Sequence, residues 1–285
     1  MAIKKAAVIG AGRMGQSIAR TLAGKGIEVY LKDINERTIK TAMGSIKSSL
    51  NKEIEKWGIT ETEKKVILSR IFPCASYTEL ENVELVIESI MEDFEKKSTL
   101  LKELDAVIPD DVVFITVIST ISVTELAANI SRADKLIGAR FFYPVHIRPL
   151  IEVVRGYYTS DETYNVVKEF AQTLDKTTVN VFESPGYITT RVILPMLNEA
   201  MNVVMEGVAT AEDVDTAMRL GFNLPQGPLE LADEIGLDEV MRWLDDLFKE
   251  LGDIKFRPCP LLRKLVRARH LGVKTGKGFF EYKQS

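Results

Sequence analysis

Histidine, cysteine and tryptophan are scarce, with two of each in 285 residues. His146 and His270 alone give no basis for a histidine-built metal centre, and no metal is expected. Cys74 and Cys259 lie far apart without metal-ligand spacing and read as reduced thiols of a cytoplasmic protein, not as a disulfide framework. No uninterrupted apolar run approaches the roughly 18 residues of a membrane helix, so no membrane association is expected. The first strand starts almost at Met1, which leaves no room for a signal peptide. An excess of positive charge is also missing. Lys and Arg number 37 against 41 Asp and Glu, a net charge of −4 that argues against nucleic acid as a partner. What is present is length enough for two domains.

The most informative segment runs from Val8 to Ser17. An apolar run, Ala6 to Ile9, reads as a buried strand, and Gly10, Gly12 and Gly15 follow it. Ile18, Ala19, Leu22 and Ala23 then recur at helical spacing, and Asp33 closes a second apolar run, Ile27 to Leu31. Strand, tight turn, helix, strand and acid are the order a dinucleotide site requires. Gly10 permits the turn, Gly12 admits a pyrophosphate to the backbone, and Gly15 lets helix and strand pack closely. The N–H groups around Arg13 and Met14, at the helix N-terminus, face the anion. Asp33 would accept hydrogen bonds from an adenosine ribose and repel a 2′-phosphate, which favours NAD over NADP.

From Asn35 to about Glu63, Ile39, Met43, Ile46, Leu50 and Ile54 recur at steps of three or four, and Gly58 interrupts the helix. Thr60 with Glu63 has the pattern of a helix cap. This helical hairpin, about residues 36–72, is an insertion that a minimal nucleotide domain does not need. It reads either as a solvated surface feature or as a wall of a substrate site, with Lys47, Ser49 and Lys52 placed to meet phosphates; spacing leaves both open. Trp57 stands either over an adenine or over the hairpin itself. Further β-branched runs (Val83–Ile90, Val112–Ile118, Leu136–Phe142, Leu150–Val154) alternate with helical patterns, which predicts an α/β domain with a mostly parallel, doubly wound sheet.

Near Ser184-Pro185-Gly186 the strand signal ends. Val192, Ile193, Met196, Leu197, Ala200, Met201 and Val204 form an apolar helical stripe, with Pro195 inside it as a kink or first turn. Two domains are expected: a Rossmann-type domain over 1–183 and an all-α domain over 184–285. So apolar a helix must be buried in its own domain or against another subunit, and a homodimer through this region is expected. His270 and the Arg263–Arg269 run read as packing and solvated-face residues of an amphipathic helix.

Four segments together resemble the L-3-hydroxyacyl-CoA dehydrogenases along the whole chain: Gly10-Ala-Gly-Arg-Met-Gly15; Val86-Ile-Glu-Ser-Ile-Met-Glu92 with Lys97; Phe141-Phe-Tyr-Pro-Val145; and Leu224-Pro-Gln-Gly-Pro-Leu-Glu-Leu-Ala-Asp233. The tail Leu271 to Tyr282 is similarly distinctive. The resemblance implies an NAD domain followed by a dimerising helical domain, and a coenzyme A thioester whose 3-hydroxyl is oxidised by NAD. It implies that Glu92, Lys97 and Ser119 contact the cofactor, that Ser119 also touches substrate, and that the hairpin binds coenzyme A near Ser49 and Lys56.

The resemblance breaks at the chemistry. The family reads His-Phe-Phe-Asn-Pro, and its histidine takes the hydroxyl proton; this chain has Arg140-Phe-Phe-Tyr-Pro144. The leading asparagine of its Asn-Thr-Ser-Ser segment is Val117 here, and the asparagine of its Gly-Phe-Ile-x-Asn-Arg motif is Thr190. Ser119 and Glu152, which orients the family's histidine, remain. An arginine, with a pKa above about 12, cannot serve as a base near neutral pH. Arg140 and Glu152 therefore read as an ion pair in place of the dyad. One reading keeps a dehydrogenase on an atypical acyl-CoA, with Arg140 binding a carboxylate or polarising the carbonyl and Tyr143, His146 or water moving the proton. A second is a catalytically silent subunit that binds NAD and acyl-CoA in a complex with a catalytic partner subunit. A third is different chemistry on an acyl-CoA, with NAD as a structural group.

Overall fold

The first apolar run forms β1 (Lys5–Ile9), and the glycine turn releases the chain into α1 (Arg13–Gly24) and β2 (Glu28–Lys32). In this computed structural model, which describes residues 3–283, the chain divides into two units, Met1–Ser184 and Pro185–Ser285. The first unit continues through α2 (Glu36–Glu55), α3 (Glu61–Ser69), β3 (Ile71–Cys74), β4 (Leu85–Glu88), α4 (Phe94–Asp105), β5 (Val113–Val117), α5 (Val123–Ala127), β6 (Leu136–Phe141), β7 (Leu150–Arg155), α6 (Asp161–Thr173) and β8 (Thr177–Phe182). Its eight strands form one sheet in the order β3-β2-β1-β4-β5-β6-β7-β8. Every pair is parallel except β6 with β7. The order reverses between β1 and β4, so the crevice beyond the carboxyl ends of these strands is where a doubly wound sheet binds its ligand.

Two strands escape sequence reading. Ile71 lies inside the range expected for the hairpin, but it starts β3, which is four residues long and contains Pro73. Pro73 has no N–H for a ladder and fits only because β3 is an edge. The other edge, β8, mixes Thr and Asn with Val and Phe and leaves Phe182 exposed. The hairpin is α2 plus α3. Asn35 caps α2 by accepting the Thr38 N–H, and Thr60 with Glu63 forms a reciprocal capping box on α3. Ile39, Ala42, Ile46 and Leu50 are the buried face of α2, and the last three join the first unit's core.

The second unit is helical: α7 (Thr189–Met205), α8 (Ala211–Phe222), α9 (Pro228–Ile235), α10 (Leu237–Leu251) and α11 (Pro260–Arg267). Leu194, Leu197, Ala200 and Met201 of α7 pack with Leu229, Val240, Leu244, Phe256 and Leu262. Pro195 is interior to α7, beyond its first turn. The expected stripe is only partly buried, since Val192 is 70% exposed. The tail is closed by Asp233. Its carboxylate, fully buried, accepts the Phe279 and Phe280 N–H groups and the Tyr282 hydroxyl, each at 3.0 Å. Gly278 is required beside it, because a Cβ there would stand 2.0 Å from Asp233 Oδ1.

Removing a buried acceptor with three donors leaves those donors unsatisfied. Asp233→Ala is expected to lower stability by about 2–4 kcal/mol in urea titration, with amide protection at Phe279 and Phe280 lost first. A change below about 0.5 kcal/mol would contradict this role for Asp233.

Candidate active site

The dinucleotide loop is built as its spacing requires. Gly10 has φ +105°, and a Cβ on it would lie 2.5 Å from the Ser89 carbonyl oxygen. A Cβ on Gly15 would lie 1.8 Å from the Gly10 carbonyl oxygen, so helix and strand meet at backbone distance. A Cβ on Gly12 would meet nothing within 4 Å. Gly12 is also the N-cap of α1 and supplies no side chain to its N–H groups. Open space over uncapped amides fits a pyrophosphate. Asp33 Oδ2 accepts the Ala11 N–H at 2.6 Å and Oδ1 accepts its neighbour Ile34 N–H at 2.7 Å. Each carboxylate oxygen has a further acceptor site, so Asp33 can brace the loop and still receive a ribose hydroxyl. Arg13 is exposed at the first turn of α1, and Met14 is half-buried against the sheet core.

Lys97 is held by the chain itself. Its side chain has no exposed surface, and its ammonium donates to Glu88 Oε1 at 2.7 Å, Glu88 Oε2 at 2.8 Å and the Val117 carbonyl at 2.9 Å. Glu88 also accepts the Thr116 hydroxyl at 2.6 Å and the Ile90 N–H at 2.7 Å. Three donors on three acceptors make Lys97 a strut under the ends of β4 and β5. Glu92 is likewise engaged with the chain. Its Oε1 accepts the Ser119 N–H at 2.6 Å and the Thr120 N–H at 2.8 Å, so it holds the loop that presents Ser119. Glu88 is the residue sequence reading passed over. Its signal was an acid inside an apolar strand with a lysine nine residues on.

Arg140 and Glu152 face each other across the antiparallel β6–β7 pair. Arg140 Nε lies 3.9 Å from Glu152 Oε2, with the side chains 10% and 0% exposed. Ser119 follows β5 and Tyr143 follows β6, adjacent parallel strands, so both leave the same edge of the sheet as Arg140. The Tyr143 ring is partly exposed and lies under Arg13, whose guanidinium carbon is 3.8 Å from the ring centre.

His146 belongs elsewhere. Its Nε2 is 3.9 Å from Glu53 of α2, and its Nδ1 is buried with no hydrogen-bond partner among the described residues. Burial, with Arg20 and Lys176 nearby, pushes the ring pKa down to about 4. So weak a base is poorly matched to proton abstraction near neutral pH, which removes His146 as a substitute for the missing histidine.

On the hairpin, Ser49 is exposed and its Oγ accepts from Arg20 Nη1 at 2.7 Å. Lys56 caps α2 and is exposed, and Trp57 beside it is 96% exposed with φ +57°. Thr190 lies in the first turn of α7, in the second unit, and is fully buried. Among the described residues no helix is long and apolar enough to cross a membrane.

Comparison with known proteins agrees with this geometry. Residues 5–184 match the NAD-binding domain of 3-hydroxyacyl-CoA dehydrogenase, and residues 186–282 match its C-terminal domain. The chain is 42% identical over 284 residues to a probable 3-hydroxybutyryl-CoA dehydrogenase of Bacillus subtilis, covering 100% of this chain and 99% of that protein. It is 40% identical over 278 residues to the 3-hydroxybutyryl-CoA dehydrogenase of Clostridioides difficile, covering 98% and 99%. Among solved structures, the (S)-3-hydroxybutyryl-CoA dehydrogenase of Ralstonia eutropha superposes with a TM-score of 0.93 at 40% identity, covering 99% of this chain and 100% of that one. A glycine loop open to a pyrophosphate, an acid placed for ribose and two matching domains lead to one conclusion: the chain belongs to the 3-hydroxyacyl-CoA dehydrogenase family and is an NAD-dependent oxidoreductase.

Proposed function

We propose that this protein interconverts a 3-ketoacyl-CoA and the 3-hydroxyacyl-CoA, with Arg140 holding the C3 oxygen in place of a proton-abstracting histidine. NADH, when bound, would supply the hydride to C3, and NAD would accept it in the reverse direction. In the reductive direction negative charge develops on the ketone oxygen, where a preorganised cation is most effective. Glu152 keeps the Arg140 side chain in register across the two strands, and the Ser119 hydroxyl, on the loop braced by Glu92, supplies a second donor. The proton that completes the alcohol comes from the Tyr143 phenol or from solvent. The observation that carries this reading is the Arg140–Glu152 pair itself, 3.9 Å apart and almost wholly buried beside the Ser119 loop.

The same pair decides between two uses of Arg140. A substrate carboxylate would bring a second negative charge beside a cation that Glu152 already neutralises, in a site with little water to screen it. A ketone oxygen asks only for a hydrogen bond and a partial charge. Carbonyl polarisation is therefore the better match. Coenzyme A lies along the hairpin in this proposal, with Ser49 and Lys56 as contacts.

We also propose a homodimer through the second unit. Val192, Val208, Leu220 and Phe222 are each at least 70% exposed, far more large apolar surface than a solvated helix pair carries by chance. Leu220→Glu is expected to shift the sedimentation coefficient from dimer to monomer; an unchanged coefficient would refute this face.

The direct test is NADH oxidation at 340 nm with acetoacetyl-CoA. Turnover is expected in the parent, and Arg140→Ala is expected to lower kcat by about 10²–10³, the cost of losing one oxyanion donor. Tight NADH binding with no turnover on thioesters would favour a silent subunit instead. Unchanged turnover in Arg140→Ala would take Arg140 out of the mechanism.

A further inference from the structure

One face of α1 joins two parts of the site that lie far apart in sequence. Arg13, Ser17 and Arg20 stand at i, i+4 and i+7, a single helical stripe. Arg13 covers the Tyr143 ring. Ser17 Oγ accepts the Val145 N–H at 2.9 Å, which pins the segment after β6 onto the helix. Arg20 is 6% exposed, donates to Ser49 Oγ at 2.7 Å and forms an ion pair with Glu53. Burial lowers the Arg20 pKa, and the nearby Tyr143 works against that shift. The segment after β6, through Arg13 and Ser17, and the hairpin, through Arg20, thus meet along this one face of α1.

Burying an arginine on the packing face of a helix costs free energy that Leu22 or Ala23 beside it would not. Glu53 accounts for the charge. It does not account for the contact with Ser49, an exposed serine with water available. A hydroxyl has one donor hydrogen and two acceptor sites. Filling an acceptor site from Arg20 leaves the hydrogen to point outward and polarises it toward a ligand oxygen.

We propose that Arg20 is a positioning residue of the thioester site: it turns Ser49 into an oriented donor for an amide carbonyl or phosphate oxygen of coenzyme A. The inference rests on the hairpin reading given above. It predicts that Arg20 and Ser49 act on coenzyme A as one unit and that neither acts on the dinucleotide.

Calorimetric titration of the full chain with free coenzyme A, and separately with NADH, tests this. The variants are Ser49→Ala, Arg20→Gln with Glu53→Gln, the combination of all three, and Arg20→Lys. Replacing Glu53 as well avoids leaving its carboxylate without a counterion. Arg20→Lys keeps that ion pair without the guanidinium fork and serves if the double variant does not fold. Ser49→Ala is expected to weaken coenzyme A binding about fivefold, one hydrogen bond. The Arg20/Glu53 variant and Arg20→Lys are expected to do the same. Adding Ser49→Ala to the Arg20/Glu53 variant should cost less than about 1.5-fold more, and NADH affinity should move less than about twofold. If the losses multiply to about 25-fold, or if the Arg20 variants bind coenzyme A like the parent while Ser49→Ala does not, the role of Arg20 is refuted and the hairpin reading stands. If the parent does not bind coenzyme A, or Ser49→Ala binds it unchanged, the hairpin reading and this proposal fall together.

Discussion

The buried ion pair between Glu88 and Lys97 is the constraint on which the site depends. Each ion loses several kcal/mol of hydration on burial, which only close contact and filled hydrogen bonds offset. Here two ammonium contacts, a threonine hydroxyl and a backbone amide all converge on the Glu88 carboxylate. The pair sits where β4 and β5 end, and the third Lys97 bond goes to Val117, two residues before Ser119. Glu92, one turn beyond β4, then fixes the Ser119 amide. Glu88, Glu92 and Lys97 thus form one frame beneath Ser119.

At the reactive end proposed above, a cation stands beside a carboxylate: Arg140 and Glu152 are paired across β6 and β7. Nearby, Tyr143 is packed under Arg13 and Ser17 binds the Val145 amide, which ties the segment after β6 to α1, and Arg20 reaches the hairpin.

Much of this was legible from residues alone, for reasons that can be stated. Gly10, Gly15 and Asp33 are local: the turn, the close packing and the acid lie within 24 residues, so spacing encodes geometry. The cap at Thr60 acts within three residues of itself. What escaped was non-local or weakly patterned. β3 is too short and contains Pro73, and β8 carries no alternation strong enough to stand out. The partners of Lys97 lie on β4 and β5, and spacing alone does not bring those strands together. Arg20 left a trace, a lone arginine among Ile18, Ala19, Leu22 and Ala23, but Ser49 and Tyr143 are distant in sequence and nothing there joins them. His146 looked chemically apt by type, and its surroundings at Arg20, Glu53 and Lys176 are visible only in three dimensions.

The central claim is that proton abstraction by a histidine has been replaced by a fixed positive charge. The pH dependence of kcat/KM for acetoacetyl-CoA reduction tests it most directly, because an imidazole base titrates near 6.5, a guanidinium has no titration in that range, and His146 is held at about 4. A profile without inflection between about pH 5.5 and 8 is the predicted result. A single ionisation near 6.5 that governs the rate would contradict the account and place an imidazole back in the mechanism.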